Sequence, residues 1–130
     1  MAYRGSNKKF PFSKSVKCAF EGIGFSLQER NVKIHLCVAV LVIIAGLYFS
    51  ISRVEWLFII TCIAGMFALE LMNTAIEKVV DLVTNDYHPL AKMAKDISAG
   101  AVLIYTFYSI IVGIIIFLPK ILNILLEQIK

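Results

Sequence analysis

Inside one apolar stretch, FALELMNTAIEKVVD at positions 67 to 81, four polar side chains recur: Glu70, Asn73, Glu77 and Asp81. At 100° per residue they fall within an arc of roughly 80° on a single helix face, so three carboxylates and an amide converge on one place. A charge at the centre of a membrane span costs on the order of 2.5 to 3.5 kcal/mol on insertion scales, and Glu70 therefore requires a partner, a proton, a metal or water. Glu70 and Glu77, two turns apart with a neutral amide between them, offer oxygen ligands and a base to a hard cation that carries phosphates. Magnesium suits that set better than zinc, since no His or Cys stands beside those positions; calcium and manganese accept the same oxygens. Glu29, in QERN ahead of the first apolar run, is a further carboxylate expected at the same membrane depth.

The loop TNDYHPLAKMAKD follows on the same side and supplies acceptors at Asp86 and His88 and ammoniums at Lys92 and Lys95, a plausible clamp for a polyphosphate. A simpler reading makes the same charges an ion-pair network at helix ends, with Glu77 answering Lys78 or Lys95 and Asp81 answering Lys78 or Lys92. Asn85, Asp86 and Pro89 are also ordinary turn residues, Asp96 suits a helix cap, and lysines near a bilayer snorkel.

These residues have to be held by helices in a membrane. The chain has 130 residues, 59% of them hydrophobic and 17% charged, and the apolar ones are gathered into long runs. Three spans are expected, over 34–51, 54–82 and 96–119, the second reaching about 20 residues only by continuing into the carboxylate stretch. No secretory signal is apparent, because the first apolar run lies deep in the chain without a small-residue cleavage site behind it. Arg4, Lys8, Lys9, Lys14, Lys17, Arg30 and Lys33 precede the first span and Arg53 alone lies between the first two, which places the N-terminus and the carboxylates in the cytoplasm and the tail KILNILLEQIK outside. The formal charge of +4 then reads as attraction to anionic headgroups rather than to nucleic acid.

Ahead of the first span, residues 13–33 space Val16, Ala19, Phe20, Ile23 and Leu27 at threes and fours, the pattern of an amphipathic helix lying in the interface. Gly22 and Gly24 read as a bend or a close helix contact, since no strand and no GxxxxGK[ST] string makes "GIG" a phosphate loop. Cys18, Cys37 and Cys62 lack any paired spacing and read as packing residues. Ser98, Ala99, Gly100 and Ala101 open the third span to a close helix contact. Three short spans enclose little on their own, so a site between subunits of a small closed oligomer is expected. Intramembrane carboxylates alone also permit a non-enzymatic ion carrier.

The strings Glu29-Arg30-Asn31, ELMNTAIEKVVD at 70–81 and DYHPLAKMAKDISAGAV at 86–102, in this order, resemble the prokaryotic diacylglycerol kinase family of small integral-membrane lipid kinases, over about Ser13 to Ile116. The resemblance implies a single all-α domain over 1–130, a homotrimeric bundle of three-span subunits with a surface helix. It also implies transfer of the terminal phosphate of ATP, with Mg2+, to a lipid hydroxyl at the bacterial plasma membrane. Carried over by motif, Glu70 is similar to the catalytic base, Glu29 and Glu77 look like the magnesium-binding pair, and Asn73 and Asp81 like supporting groups. Asp86, Tyr87, His88, Lys95 and Asp96 look like nucleotide contacts, and Lys17 takes a nucleotide-contacting place on the surface helix where the familiar pattern has an aromatic. HPLAK and DISAGAV resemble the Gram-positive branch, which phosphorylates undecaprenol, more than the branch acting on diacylglycerol.

Overall fold

The computed structural model describes residues 11–128; Arg4, Lys8, Lys9 and Lys130 lie outside the described residues. Four helices follow one another: α1 (Phe12–Ser26), α2 (Arg30–Tyr48), α3 (Arg53–Val83) and α4 (Pro89–Gln128). The last three are each long and apolar enough to cross a membrane, so the protein is a multi-pass membrane protein preceded by a short helix. α3 is the central element, packed by α1, α2 and α4.

The surface helix stops at Ser26, well short of residue 33. There the Ser26 hydroxyl donates to the Ile23 carbonyl at 2.7 Å. The amides of Gln28 and Glu29 turn back to Phe25 and Ser26 at 3.2 and 3.0 Å. Glu29 is then extended, at φ −70° and ψ 140°, and caps α2 with backbone only, which leaves its carboxylate free to reach elsewhere. Arg30 to Lys33 thus form the first turn of the membrane helix. α1 runs unbroken through Gly22 and Gly24, and a methyl group added at either would meet nothing within 4 Å, so neither glycine bends the helix or packs closely against another within the chain.

At the far end, α2 closes with a tight reversal. The amides of Ser50 and Ile51 donate to the carbonyls of Leu47 and Gly46 at 3.2 and 3.1 Å, with Ser50 at φ +47° and Ile51 buried beyond it. This 6→1 and 5→2 pair satisfies two orphan carbonyls of α2 and uses a left-handed residue usually supplied by glycine. Ser52 restarts the chain as a reciprocal cap: its hydroxyl accepts from the Glu55 amide at 3.3 Å, and its own amide donates to Glu55 Oε2 at 2.6 Å. Glu55 also meets Lys120 of α4 at 3.3 Å, so this end of the bundle is tied by charge as well as by the core of Ile51, Ile59 and Ile116.

Close packing between α3 and α4 occurs at Gly65 rather than at the small residues opening α4. A β-carbon at 65 would collide with the Tyr105 hydroxyl, which donates to the Thr61 carbonyl at 2.8 Å, so only glycine fits there. Ser98 is buried, but Ala99 and Ala101 are exposed and Gly100 has open space beside it. Of the cysteines only Cys62 is buried; Cys18 and Cys37 face outward.

α4 begins at Pro89, seven residues before the expected span, because the fixed φ of proline and its missing N–H suit a first helical position. The His88 Nδ1 accepts from the Leu90 amide at 3.2 Å and satisfies one of the free donors that remain. α4 also continues past Pro119 to Gln128, so proline costs one hydrogen bond without ending the helix, and Ile121 to Gln128 of the tail are helical. At 31 and 40 residues, α3 and α4 reach on the order of 46 and 60 Å at 1.5 Å per residue, more than the roughly 30 Å of a hydrocarbon core. Each therefore has length to spare beyond the hydrocarbon, and charged residues gather at their shared end, where Asp81 meets Lys95.

Candidate active site

The polar face of α3 is built from its middle outward. Glu70 and Asn73 are 2% and 5% exposed, although both belong to a helix that is otherwise apolar at this height. Asn73 is fixed at both ends of its amide: Oδ1 accepts from the Ser98 hydroxyl of α4 at 2.7 Å, and Nδ2 donates to Glu77 Oε1 at 3.1 Å. Burial of these groups is affordable because they are hydrogen-bonded, and the chain Ser98–Asn73–Glu77 transmits the α3–α4 contact into the orientation of the Glu77 carboxylate.

Glu70 is held differently. Its partner is His35 of α2, with Nε2 4.0 Å from Glu70 Oε2 and the imidazole itself mostly buried. Glu29, at the elbow between α1 and α2, meets Lys78 of α3 at 2.9 Å. That contact carries Glu29 to the turn of α3 that also holds Glu77. Asp81 pairs with Lys95 of α4 at 2.6 Å, and Lys92 pairs with Asp96 along α4 at 2.5 Å.

The ion pairs differ from those expected. Glu77 takes the Asn73 amide rather than a lysine, and Asp81 takes Lys95 rather than Lys78 or Lys92. The cause is angular: Lys78 lies one residue, 100°, round from Glu77 and turns to Glu29, while Lys92 is one helical turn from Asp96 and finds it at i,i+4. Both lysines of the expected clamp are thus already matched by carboxylates, and a phosphate would have to exchange with Asp81 or Asp96.

At the α3–α4 turn a depression of about 480 Å³ is lined by Asp81, Asp86, Tyr87, His88, Lys92, Lys95 and Asp96 among others. Thr84 shapes its floor, its hydroxyl accepting from the Asp86 amide at 3.1 Å and lying 3.2 Å from the Asp86 carbonyl. Tyr87 projects into the open at 80% exposure. Lys17, on α1, pairs with Glu21 of its own helix at 3.9 Å and does not line this depression.

A second hollow, about 500 Å³ and apolar, opens within the membrane helices between α2, α3 and α4, with His35, Ala39, Cys62, Met66 and Thr106 in its wall. His35 lies both in this wall and beside Glu70. Phe20, Ile23 and Leu27, the apolar residues of α1, are exposed and lie outside this hollow.

Among the described residues no three His, Cys, Asp or Glu side chains converge as a ready metal cage. A magnesium ion does not require one, since it is commonly held by one or two carboxylates with water and substrate phosphates completing the octahedron. Glu77, oriented by Asn73 through one oxygen, and Glu29, paired with the exposed Lys78, are carboxylates of the right kind. Neither the pairing of His35 with Glu70 nor the anchoring by Ser98 is encoded in a local spacing. The signal for His35 was a lone imidazole in the apolar run IHLCV, six residues beyond Glu29.

Comparison with known proteins bears on this geometry. The family model for prokaryotic diacylglycerol kinase matches residues 17–117. The undecaprenol kinase of Bacillus subtilis (strain 168) is 49% identical over 110 residues, covering 84% of this chain and 89% of that protein. A diacylglycerol kinase of Synechocystis sp. is 40% identical over 115 residues, covering 85% of this chain and 65% of its own, and that of Escherichia coli (strain K12) is 31% identical over 114, covering 85% and 90%. With a buried carboxylate on a membrane helix, a charged depression above it and these relatives, the chain belongs to the prokaryotic diacylglycerol kinase family and is a lipid kinase.

Proposed function

We propose that this lipid kinase transfers the terminal phosphate of ATP to undecaprenol, at the cytoplasmic face of the membrane, in a site whose base is Glu70. The observation that carries the reading is the position of Glu70: a carboxylate 2% exposed, on α3 between Phe67, in the wall of the apolar hollow, and Val80 and Asp81, in the wall of the charged depression. Glu70 takes the proton of the acceptor hydroxyl as its oxygen forms a bond to the terminal phosphorus and the bond to the β-phosphate oxygen breaks, releasing ADP. Removal of the proton is coupled to attack, because an alcohol is too weakly acidic to ionise first. Burial keeps water from competing as acceptor.

Lys95 and Asp96, with Asp86, Tyr87 and His88, hold the nucleotide at the depression, and Lys95 exchanges Asp81 for phosphate oxygen when the nucleotide arrives. Lys17 reaches the phosphates from the surface helix by leaving Glu21. Glu29 and Glu77 are the magnesium ligands, with Asn73 fixing Glu77 and Asp81 holding Lys95 in reserve. Magnesium, when bound, neutralises charge on the phosphate oxygens. Basic residues at the start of α2 support a cytoplasmic location for this end of the bundle. The outward apolar faces of the spans and the open charged depression at the α3–α4 turn support a homotrimer with sites between subunits.

Undecaprenol is preferred to diacylglycerol on the 49% identity to a protein named for it and on the HPLAK and DISAGAV strings. Both are primary alcohols on long apolar tails, so apolar contact separates them only modestly, by about tenfold. Catalytic efficiency measured on both acceptors in the same nanodiscs, at matched surface fractions and with particle mass recorded, should favour undecaprenol about tenfold in a three-subunit particle. A tenfold preference for diacylglycerol would reverse the acceptor, and a fully active monomer would remove the trimer.

A further inference from the structure

Glu77 and Glu70 lie two turns apart on one face of α3, but only Glu77 is locked. The amide of Asn73 is committed to Ser98 at its oxygen and donates to Glu77 from its nitrogen. Among the described residues, His35 is the one basic side chain within ion-pair reach of Glu70. It comes from α2, a different helix, and its imidazole is 21% exposed against 3% for the Glu70 side chain. It also stands in the wall of the apolar hollow, with Met66 and Phe67 of α3 in the same wall.

We infer that His35 is a positioning residue for the base: its Nε2–H faces Glu70 Oε2 and holds that oxygen toward α2, so that the other oxygen meets a hydroxyl entering along the hollow. The resting separation of 4.0 Å is roughly 1 Å longer than a hydrogen bond. Such contacts are often loose before substrate binds. A buried carboxylate without this donor would lose its direction, and a base must lie within hydrogen-bond reach of the proton it removes. The inference rests on Glu70 being the base.

The test uses the full chain in nanodiscs with MgATP and undecaprenol. His35→Phe keeps the ring volume and removes the donor; His35→Gln places an amide N–H near the former Nε2 and does not titrate in the working range. His35→Phe should lower kcat about tenfold or more, within the 10- to 100-fold range usual for groups that orient a reacting ligand, with KM for MgATP unchanged. His35→Gln should stay within about threefold of the parent. Activity of His35→Phe within twofold of the parent, or a His35→Gln protein as impaired as His35→Phe, overturns the inference. If His35→Phe does not assemble, His35→Asn, whose amide is too short to reach, replaces it with the same expected loss and the same overturning result. Glu70→Gln measured in the same series separates the two levels: an active Glu70→Gln protein removes the base itself, whereas an inactive one beside a normal His35→Phe protein removes only the role of His35.

Discussion

Replacing Glu70 by Gln is expected to lower turnover by about 100-fold or more, in line with the loss of a positioned general base, while MgATP binds as before. The substitution is nearly isosteric, and a neutral amide costs less to bury than a carboxylate at 2% exposure, so folding should be preserved or improved. The loss of rate can then be assigned to chemistry. Steady-state turnover and equilibrium nucleotide binding, measured on one preparation, check it. Turnover within a few-fold of the parent would take Glu70 out of the base role and leave its burial unexplained by catalysis.

The reverse pattern is expected at Glu77 and Glu29. In Glu77→Gln the oxygen that accepts from Asn73 is kept and the charge is lost, so local geometry survives while the affinity for magnesium-bound nucleotide falls by about tenfold or more, equivalent to roughly 1.4 kcal/mol. In Glu29→Gln the contact to Lys78 loses its charge, but that pair is 67% and 37% exposed and contributes little to stability. A lower nucleotide affinity that further magnesium partly restores is the expected sign of ligand loss. Titrating nucleotide at several magnesium concentrations gives the answer, and affinities equal to the parent at every concentration would remove both residues as ligands. Together, the two substitution classes divide the polar face of α3 into a chemical position and a binding position two turns apart.

Much of this face was legible from the sequence, because helical periodicity is a local property. Glu70, Asn73 and Glu77 share a face by spacing alone, and the three spans follow from run length. Partners that depend on how helices meet were not legible. Ser98 anchors Asn73 across 25 residues, and Lys95 finds Asp81 across 14, contacts fixed by the turn at Asn85 to His88 and the packing of Tyr105 on Gly65. Helix ends were misjudged where a local device overrode composition: the Ser26 hydroxyl ended α1 early, Pro89 opened α4 early, and Pro119 failed to stop it. His35 is one imidazole in an apolar run with no periodic partner, and its meaning appears only when α2 brings it beside Glu70.

The central claim, that this face of α3 directs phosphate from nucleotide to a lipid hydroxyl, is tested most directly by following the label. Protein in nanodiscs containing undecaprenol is given ATP labelled in its terminal phosphate, with magnesium or with a chelator, and the organic-extractable product is counted against ADP formed. The expected result is one labelled lipid per ADP with magnesium, and none with the chelator or in Glu70→Gln. ADP released without labelled lipid, or folded protein that labels neither undecaprenol nor diacylglycerol with abundant magnesium and ATP, would contradict it.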